Sequence, residues 1–330
     1  MLFAYRIMSE SPHPNKTVLI TGAAGFIGTN LCLRILATEP NTHVIAVDSL
    51  ITSPPMHIVN PRFQFIQCDL VRDAITMSNI EPRIDEIYHL ASIASPPKYK
   101  QFPIETLDVN VIGTRNMLEL AARHGAKLLL TSTSEVYGDP KEHPQKESYY
   151  GNVNVVGERS CYDESKRCAE TYVYEFCRLH KTNRFKICRI FNTYGPHMDI
   201  NDGRVITNFI KCVLEGKPIT VYGDGNQTRS FCYIEDTLDG LMALMASEER
   251  GPINIGNPDT EVTIHSLIDV FENQLNLRPQ IQYEPRTEND PALRRPDITL
   301  AITKLGFSPK WSLESGVYET FTHFHKKQAK

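Results

Sequence analysis

The 330-residue sequence contains no C-x-x-C pair and no H-E-x-x-H, although it holds eight cysteines and eleven histidines. The cysteines (Cys32, Cys68, Cys161, Cys168, Cys177, Cys188, Cys212 and Cys232) are scattered. This argues against a zinc frame or disulfide scaffold and for buried free thiols in a reducing compartment. Long apolar runs are also missing, so no stretch approaches the roughly 20 residues needed to span a bilayer. The leading Met1-Leu2-Phe3-Ala4-Tyr5 is too short for a signal-peptide core and is followed by Arg6 and Glu10. Positive charge is in deficit, with Lys+Arg 35 against Asp+Glu 39 and a net charge of -4, which leaves no basic field for general nucleic-acid binding. There is no internal repeat and no low-complexity run. These absences lead us to expect a cytoplasmic chain with no metal, membrane or nucleic-acid partner. Its length suffices to bury a large core without covalent staples.

What is present is organised around Thr21-Gly22-Ala23-Ala24-Gly25-Phe26-Ile27-Gly28. The run follows Val18-Leu19-Ile20, whose β-branched character suits a buried parallel strand, and leads into Leu31 to Leu36, apolar at helical spacing. A strand, a glycine-rich turn and a helix in this order aim backbone N–H groups at a phosphate. The next apolar run, Val44-Ile45-Ala46-Val47, ends in Asp48, twenty residues after Gly28, where a dinucleotide site needs a carboxylate for the ribose hydroxyls. Nothing basic lies between Ser49 and Ser53, and Asp48 would repel a 2′-phosphate. The expected cofactor is therefore NAD rather than NADP.

Strand-like runs recur at Phe63–Leu70, Glu86–Ala91, Lys127–Ser132 and Phe185–Phe191, with helical spacing over Leu107–His124 and Tyr162–His180 between them. This alternation predicts an α/β fold with a doubly wound parallel, Rossmann-like sheet. Beyond Gly195-Pro196 the pattern changes. Helices are expected at Val205–Val213, Ile264–Leu275 and Leu313–Lys326, with a short strand at Ile219–Tyr222, as in a smaller α+β substrate domain. The division expected is a mobile tail over 1–16, a cofactor domain over 17–195 with about 230–256, and a substrate domain over 196–229 and 257–330. Ligands of such sheets bind beyond the carboxyl ends of the strands, between the two parts.

Two further segments carry chemistry. In Tyr162-Asp163-Glu164-Ser165-Lys166 the first and last residues are four apart, so on a helix the Lys166 ammonium shares a face with the Tyr162 phenol. A nearby cation should lower the phenol toward the range where it accepts a proton as a general base. A second copy, Tyr137-Gly138-Asp139-Pro140-Lys141, contains Gly and Pro and is not expected to be helical. Thr131-Ser132-Thr133-Ser134-Glu135 begins at the end of a predicted central strand. Read blandly it is a polar turn; read chemically its hydroxyls and carboxylate can hold a sugar and shift a proton.

Taken with His89-Leu90-Ala91-Ser92, Arg189-Ile190-Phe191-Asn192-Thr193-Tyr194-Gly195-Pro196, Asn201-Asp202-Gly203-Arg204-Val205, Tyr222 to Phe231, and Asp290-Pro291 with Arg294 to Asp297, these segments resemble the extended short-chain dehydrogenase/reductase family (NAD-dependent epimerase/dehydratase), and more narrowly its UDP-glucuronate decarboxylase branch. The resemblance runs from about Thr17 to the last helix. It implies NAD-dependent decarboxylation of a UDP-sugar acid to a UDP-pentose through a transient 4-keto sugar, by a homodimer. A nucleotide-sugar 4,6-dehydratase or 4-epimerase is the alternative. In the dehydratases the positions of Ser134-Glu135 hold Asp-Glu, and simple 4-epimerases usually lack the Glu.

By the same resemblance, Tyr162, Lys166, Glu135, Ser134, Thr133 and Arg229 are catalytic. Gly22, Gly25, Phe26, Ile27, Gly28, Asp48, Asp69, Leu70, Ala91, Ser92, Thr193 and Arg204 join Tyr162 and Lys166 in cofactor binding. Pro97, Asn192, Tyr222, Gln227 and Arg294 join Glu135 and Arg229 in substrate binding. Four positions depart from the pattern: Asp108 stands where Lys is expected, Tyr150 for Trp, Val155 for Pro and His197 for Arg.

Overall fold

Seven strands form one parallel sheet, in a computed structural model that describes residues 16–73, 80, 83–285 and 293–328. The tail expected over 1–16 lies outside these residues except for Lys16, and so do Asp290 and Pro291. The strands are β1 (Lys16–Thr21), β2 (Thr42–Asp48), β3 (Phe63–Gln67), β4 (Glu86–His89), β5 (Lys127–Thr133), β6 (Phe185–Ile190) and β11 (Ile253–Ile255), in the order β11-β6-β5-β4-β1-β2-β3. Order reverses beside β1, which opens the crevice of a doubly wound sheet there. Thr21 lies opposite Val47 on one side and His89 on the other, while Thr133 lies opposite Ile190. That register brings Gly22, Asp48, Leu90, Ser134 and Phe191 to one edge.

Alternation along the strands divides the core in two. Val18 and Ile20 of β1 pack on one face against Leu31 and Ile35 of α1 (Phe26–Thr38). Leu19 packs on the other, among residues that include Met117, Leu118, Ala169 and Val173. These last come from a long helical stretch and its neighbour. The stretch runs as α3 (Pro103–Asp108), a wide π turn (Val109–Gly113) and α4 (Thr114–His124), just after the short α2 (Pro96–Gln101). The neighbour is α5 (Ser160–His180). The helix read as Leu107–His124 thus starts earlier, and the π turn interrupts it. Such turns cluster at functional sites, and here Asn110 donates to Ser165 of α5 at 2.9 Å.

After β6 the chain makes the two-residue strand β7 (Thr193–Tyr194), α6 (Val205–Glu215), β8 (Ile219–Tyr222), β9 (Thr228–Ser230) and β10 (Cys232–Tyr233), then returns to the large sheet through α7 (Ile234–Ala246) and β11. The remainder adds β12 (Glu261–Thr263), α8 (Ile264–Leu275), β13 (Ile281–Glu284), α9 (Thr299–Leu305) and α10 (Leu313–Gln328). Only short pairs form here: β10 with β7, β12 with β9 and β13 with β8. Pairings between segments so far apart in sequence leave no local signature, and beyond β6 only β8 among the strands, and neither α7 nor α9 among the helices, is expected from the sequence.

The C-terminal segment is tied down by Asp236 in the first turn of α7. Its two carboxylate oxygens accept from the backbone N–H groups of Lys310 (2.9 Å) and Trp311 (3.1 Å), and the residue is 1% exposed. Removing it takes away the charged acceptor of two partly buried backbone donors. Asp236→Ala is expected to lower stability by about 3 kcal/mol, read as a fall in the urea midpoint at constant slope.

Candidate active site

The turn after β1 is built from backbone packed against backbone. Gly22 has φ +67°, and a Cβ there would lie 2.7 Å from the Ala91 nitrogen; at Gly28 it would lie 2.2 Å from the Gly22 oxygen. Neither position admits a side chain, so the start of α1 sits directly on the turn. Beside it Asp48 accepts from the N–H groups of Ala24 (3.0 Å) and Leu50 (2.8 Å). Burial pushes the Asp48 carboxyl up, and these two donors oppose the shift. A bare backbone turn with a fixed carboxylate at its side fits a dinucleotide diphosphate and ribose. Behind it, His89 bridges Thr21 (2.8 Å) and Thr114 (3.1 Å), and burial lowers its imidazole to about 3, so it is a neutral strut.

One continuous cleft runs along the carboxyl edge. Of the residues singled out in the sequence, its walls contain Gly22, Gly25, Phe26, Ile27, Gly28, Asp48, Asp69, Leu70, Ala91, Ser92, Thr133, Ser134, Glu135, Tyr162, Lys166, Asn192, Thr193 and Arg204, as well as Asp108. Eight others stand apart from the walls. Pro97 packs beside Gly203. Tyr222 is largely exposed, with its carbonyl taking a hydrogen bond from Gln227 at 2.8 Å. Arg229 is buried on β9 and donates to the Thr228 carbonyl at 2.8 Å. Arg294 lies behind Glu135. Tyr150 and Val155 are exposed, and His197 stacks near His323.

Tyr162 and Lys166 share a face of α5 as their spacing requires, but their electrostatics differ from the expectation. Lys166 lies 6.0 Å from the Tyr162 ring centroid and donates to the Thr131 carbonyl at 2.8 Å. Burial lowers its ammonium to about 7, opposed only by Glu170. Burial also raises the Tyr162 phenol to about 12, against a hydrogen bond from Thr133 and the charge of Arg204. Desolvation therefore outweighs the cation at this depth. At this depth the phenol is held neutral. Glu170, which favours the charged form of Lys166, is fixed by Ser132 (2.6 Å) and by Arg189 (2.9 and 2.7 Å). The second Tyr-x-x-x-Lys copy has no such face, because the Tyr137 hydroxyl donates instead to Asn254 at 2.8 Å.

Glu135 behaves oppositely. Burial pushes its carboxyl up, but Arg294 and Arg159 overcome this and hold it at about 2. Arg294 grips both oxygens, one bond measuring 2.9 Å, and Arg159 donates to Oε2 at 2.6 Å. Arg204 is anchored on the cleft wall by the Ala94 carbonyl (3.1 Å) and Asp202 (3.4 Å).

Arg159 was missed in the sequence, though it carried a signal. It occupies the N-cap of α5, where an acceptor is preferred and a cation opposes the helix dipole. Tyr99, also missed, stacks on Tyr162 with ring centroids 5.5 Å apart. So was Asp163, whose carboxyl is raised to about 7 by burial and by Glu135.

The family model described as "NAD dependent epimerase/dehydratase family" matches residues 18–256. The chain is similar to UDP-glucuronic acid decarboxylase 4 of Arabidopsis thaliana, with 48% identity over 304 residues, 91% of this chain and 66% of that protein. It is equally similar to UDP-glucuronic acid decarboxylase 5 of the same plant, 48% identical over 307 residues, 92% of this chain and 87% of that protein. The chain thus spans just under two thirds of the first relative and most of the second. Its fold is similar to the crystal structure of UDP-glucuronic acid 4-epimerase from Bacillus cereus in complex with UDP-glucuronic acid and NAD, with TM-score 0.83 and 29% identity over 94% of this chain and 99% of that one.

The depressed Lys166 ammonium has a consequence for the ligand-free protein. From pH 7 to its usual value of 10.5 the unfolded chain binds a proton there that the folded chain does not. The cost of burying the charge is therefore complete below pH 7 and fades as pH rises. Wild type is expected to gain stability relative to Lys166→Met by up to about 1.4 kcal/mol per pH unit across that window, measured by denaturant unfolding at several pH values. A constant difference would contradict the assignment.

Proposed function

The chain belongs to the NAD dependent epimerase/dehydratase family, and we propose that it decarboxylates UDP-glucuronate to UDP-xylose. The observation that carries this reading is the pair Ser134-Glu135. Removal of a 6-hydroxyl needs a proton donor at that hydroxyl, whereas loss of CO₂ from a β-keto acid needs none. Glu135, at about 2 between two arginines, stays a carboxylate at neutral pH and cannot donate, and Ser134 adds no charge against the sugar's own carboxylate.

The Gly22 turn, Ala91 and Ser92 would hold the NAD diphosphate side, Asp48 the ribose, and Asp69 and Leu70 the adenine. When bound, NAD supplies the oxidation of the sugar at C4 and the matching reduction. Tyr162 takes the C4 hydroxyl proton and returns it, Lys166 sets its charge, and Thr133 hydrogen-bonds the sugar. With C4 at the ketone level the C6 carboxylate is β to a carbonyl, so it leaves as CO₂ with the C5–C6 electron pair passing into the enolate, which then takes a proton at C5 from a water of the cleft. Ser134 and Glu135 hold the sugar through this step. Asn192, Thr193 and Arg204 line the cofactor and sugar wall, Arg294 fixes Glu135, and Pro97, Tyr222, Gln227 and Arg229 serve the nucleotide end. The reading treats 17–195 with 230–256 as the cofactor half and 196–229 with 257–330 as the sugar half.

We also infer a homodimer and a cytoplasmic setting. The helical stretch Pro103–His124 and α5 leave Ile104, Ile112 and Tyr174 exposed, which suits a covering second copy. All eight cysteines are free thiols, which suits a reducing compartment. Among the described residues no helix is long and apolar enough to cross a membrane.

Incubation of the NAD-loaded protein with UDP-glucuronate is expected to release CO₂ and leave a pentose nucleotide, followed by mass spectrometry. A product of unchanged carbon count would mark a 4-epimerase or dehydratase, and unreacted substrate would remove the assignment. Tyr162→Phe is expected to lower kcat by about 10²- to 10⁴-fold with the fold intact.

A further inference from the structure

Glu135 and the arginine that grips both its oxygens come from distant parts of the chain. Glu135 follows β5, whereas Arg294 stands 159 positions later. A bidentate pair forms only when the fork and the carboxylate meet in a defined geometry, so the backbone beside Arg294 has to be fixed as closely as the carboxylate is. Ser230 donates its N–H to the Arg294 carbonyl at 3.1 Å. Along the next three residues, Arg295 to Asp297, the residue that does most of the holding is Gln145.

Gln145 lies in the same connection as Glu135, between β5 and α5, and is 1% exposed. Its backbone N–H donates to the Arg295 carbonyl at 2.8 Å, and its carbonyl accepts from the Asp297 N–H at 2.9 Å. Its side-chain oxygen accepts from the Arg295 N–H at 2.9 Å, while the amide nitrogen donates to the Glu142 carbonyl at 2.8 Å. Each end of the amide thus meets the partner its chemistry needs. Asn254, wholly buried on β11, donates to the Gln145 and Asp297 carbonyls, both at 3.0 Å, and closes the junction from the large sheet. The two segments are therefore joined at two points: Gln145 on Arg295 and Asp297, and Arg294 on Glu135. The Arg295 side chain turns to Glu261 at 3.7 Å, so what the clamp delivers to Glu135 is the fork of Arg294.

We propose that Gln145 is a positioning residue for the reaction: by holding the backbone at Arg295 it sets the Arg294 fork on Glu135. This deepens the decarboxylase reading and rests on it. Deleting the amide leaves the Arg295 N–H without its acceptor and loosens the segment at that point. A fork tolerates little displacement, since misplacing a group by about 1 Å can cost about 10²-fold in rate. With the fork loosened, the Glu135 carboxyl rises from about 2 toward its usual range. Besides Arg294 and Arg159, the charged or titratable groups facing Glu135 are Asp163, Tyr99, Tyr162 and Arg204, all of which the variants below share.

The test follows decarboxylation of UDP-glucuronate as a function of pH by the NAD-loaded wild type, Gln145→Met, Arg294→Lys and the double variant. Thermal unfolding checks that each is folded. Gln145→Met keeps the length of the side chain and removes both of its hydrogen bonds; Gln145→Asn, which draws the amide back by one carbon, is read in its place if the methionine variant does not fold. Gln145→Met is expected to lower kcat/KM by about 30-fold and to move its acid limb up by about one pH unit. Arg294→Lys keeps the charge and loses the fork, so it should move the limb the same way with Gln145 untouched. In that background Gln145→Met should change kcat/KM by no more than about twofold, because the two residues act through one pair. Losses that multiply, an acid limb that stays where wild type has it, or a lower melting temperature with unchanged kcat/KM overturns the proposal. If wild type decarboxylates UDP-glucuronate and the two losses multiply, only the role of Gln145 falls. If wild type leaves UDP-glucuronate unreacted, the functional reading falls.

Discussion

The close approach of Gly28 to the carbonyl of Gly22 is the constraint on which the rest depends. A methyl group at position 28 would stand 2.2 Å from that oxygen, so the first turn of α1 can lie on the end of β1 only because both positions lack side chains. Backbone N–H groups then remain at the mouth of the crevice where strand order reverses. Asp48 is held beside them by the N–H groups of Ala24 and Leu50, and His89 braces the turn from below as a neutral imidazole. The groups that line the cleft lie along the sheet edge that begins at this turn.

Along that edge, competition between burial and neighbouring charge has different outcomes at different residues. At Tyr162 and Lys166 burial wins: the phenol is pushed up to about 12 and the ammonium down to about 7. At Glu135 it loses, because two guanidinium groups stand at hydrogen-bond distance and one grips both oxygens. The difference is geometric. An ion beside a ring stabilises the phenolate through space, while a bidentate pair replaces the hydration that the carboxylate gave up. The cleft thus holds a neutral phenol and a carboxylate that is ionised at neutral pH on the same edge.

The C-terminal part of the chain is fastened to the rest through long-range ties, from behind the cleft rather than in its walls. Arg294 reaches Glu135 across 159 positions of sequence, and Asp236 holds the backbone at Lys310 and Trp311. These ties hold segments that pair only in short two-stranded ladders against the rest of the chain.

By itself the sequence determined the alternation of strand and helix, the glycine turn, the acid at Asp48 and the shared face of Tyr162 and Lys166, because each is a property of periodicity or of residues within a few positions of one another. It did not reveal the π turn at Val109–Gly113, the strands of the C-terminal half other than β8, or the joining of β11 to β6, which depend on partners far along the chain. Placement of Arg159 and Arg294 on one carboxylate was likewise decided only by the tertiary structure. So was the sign of the shift at Tyr162, since the depth of burial that overrides the neighbouring ammonium comes from the packing of the whole fold and is written in no single segment.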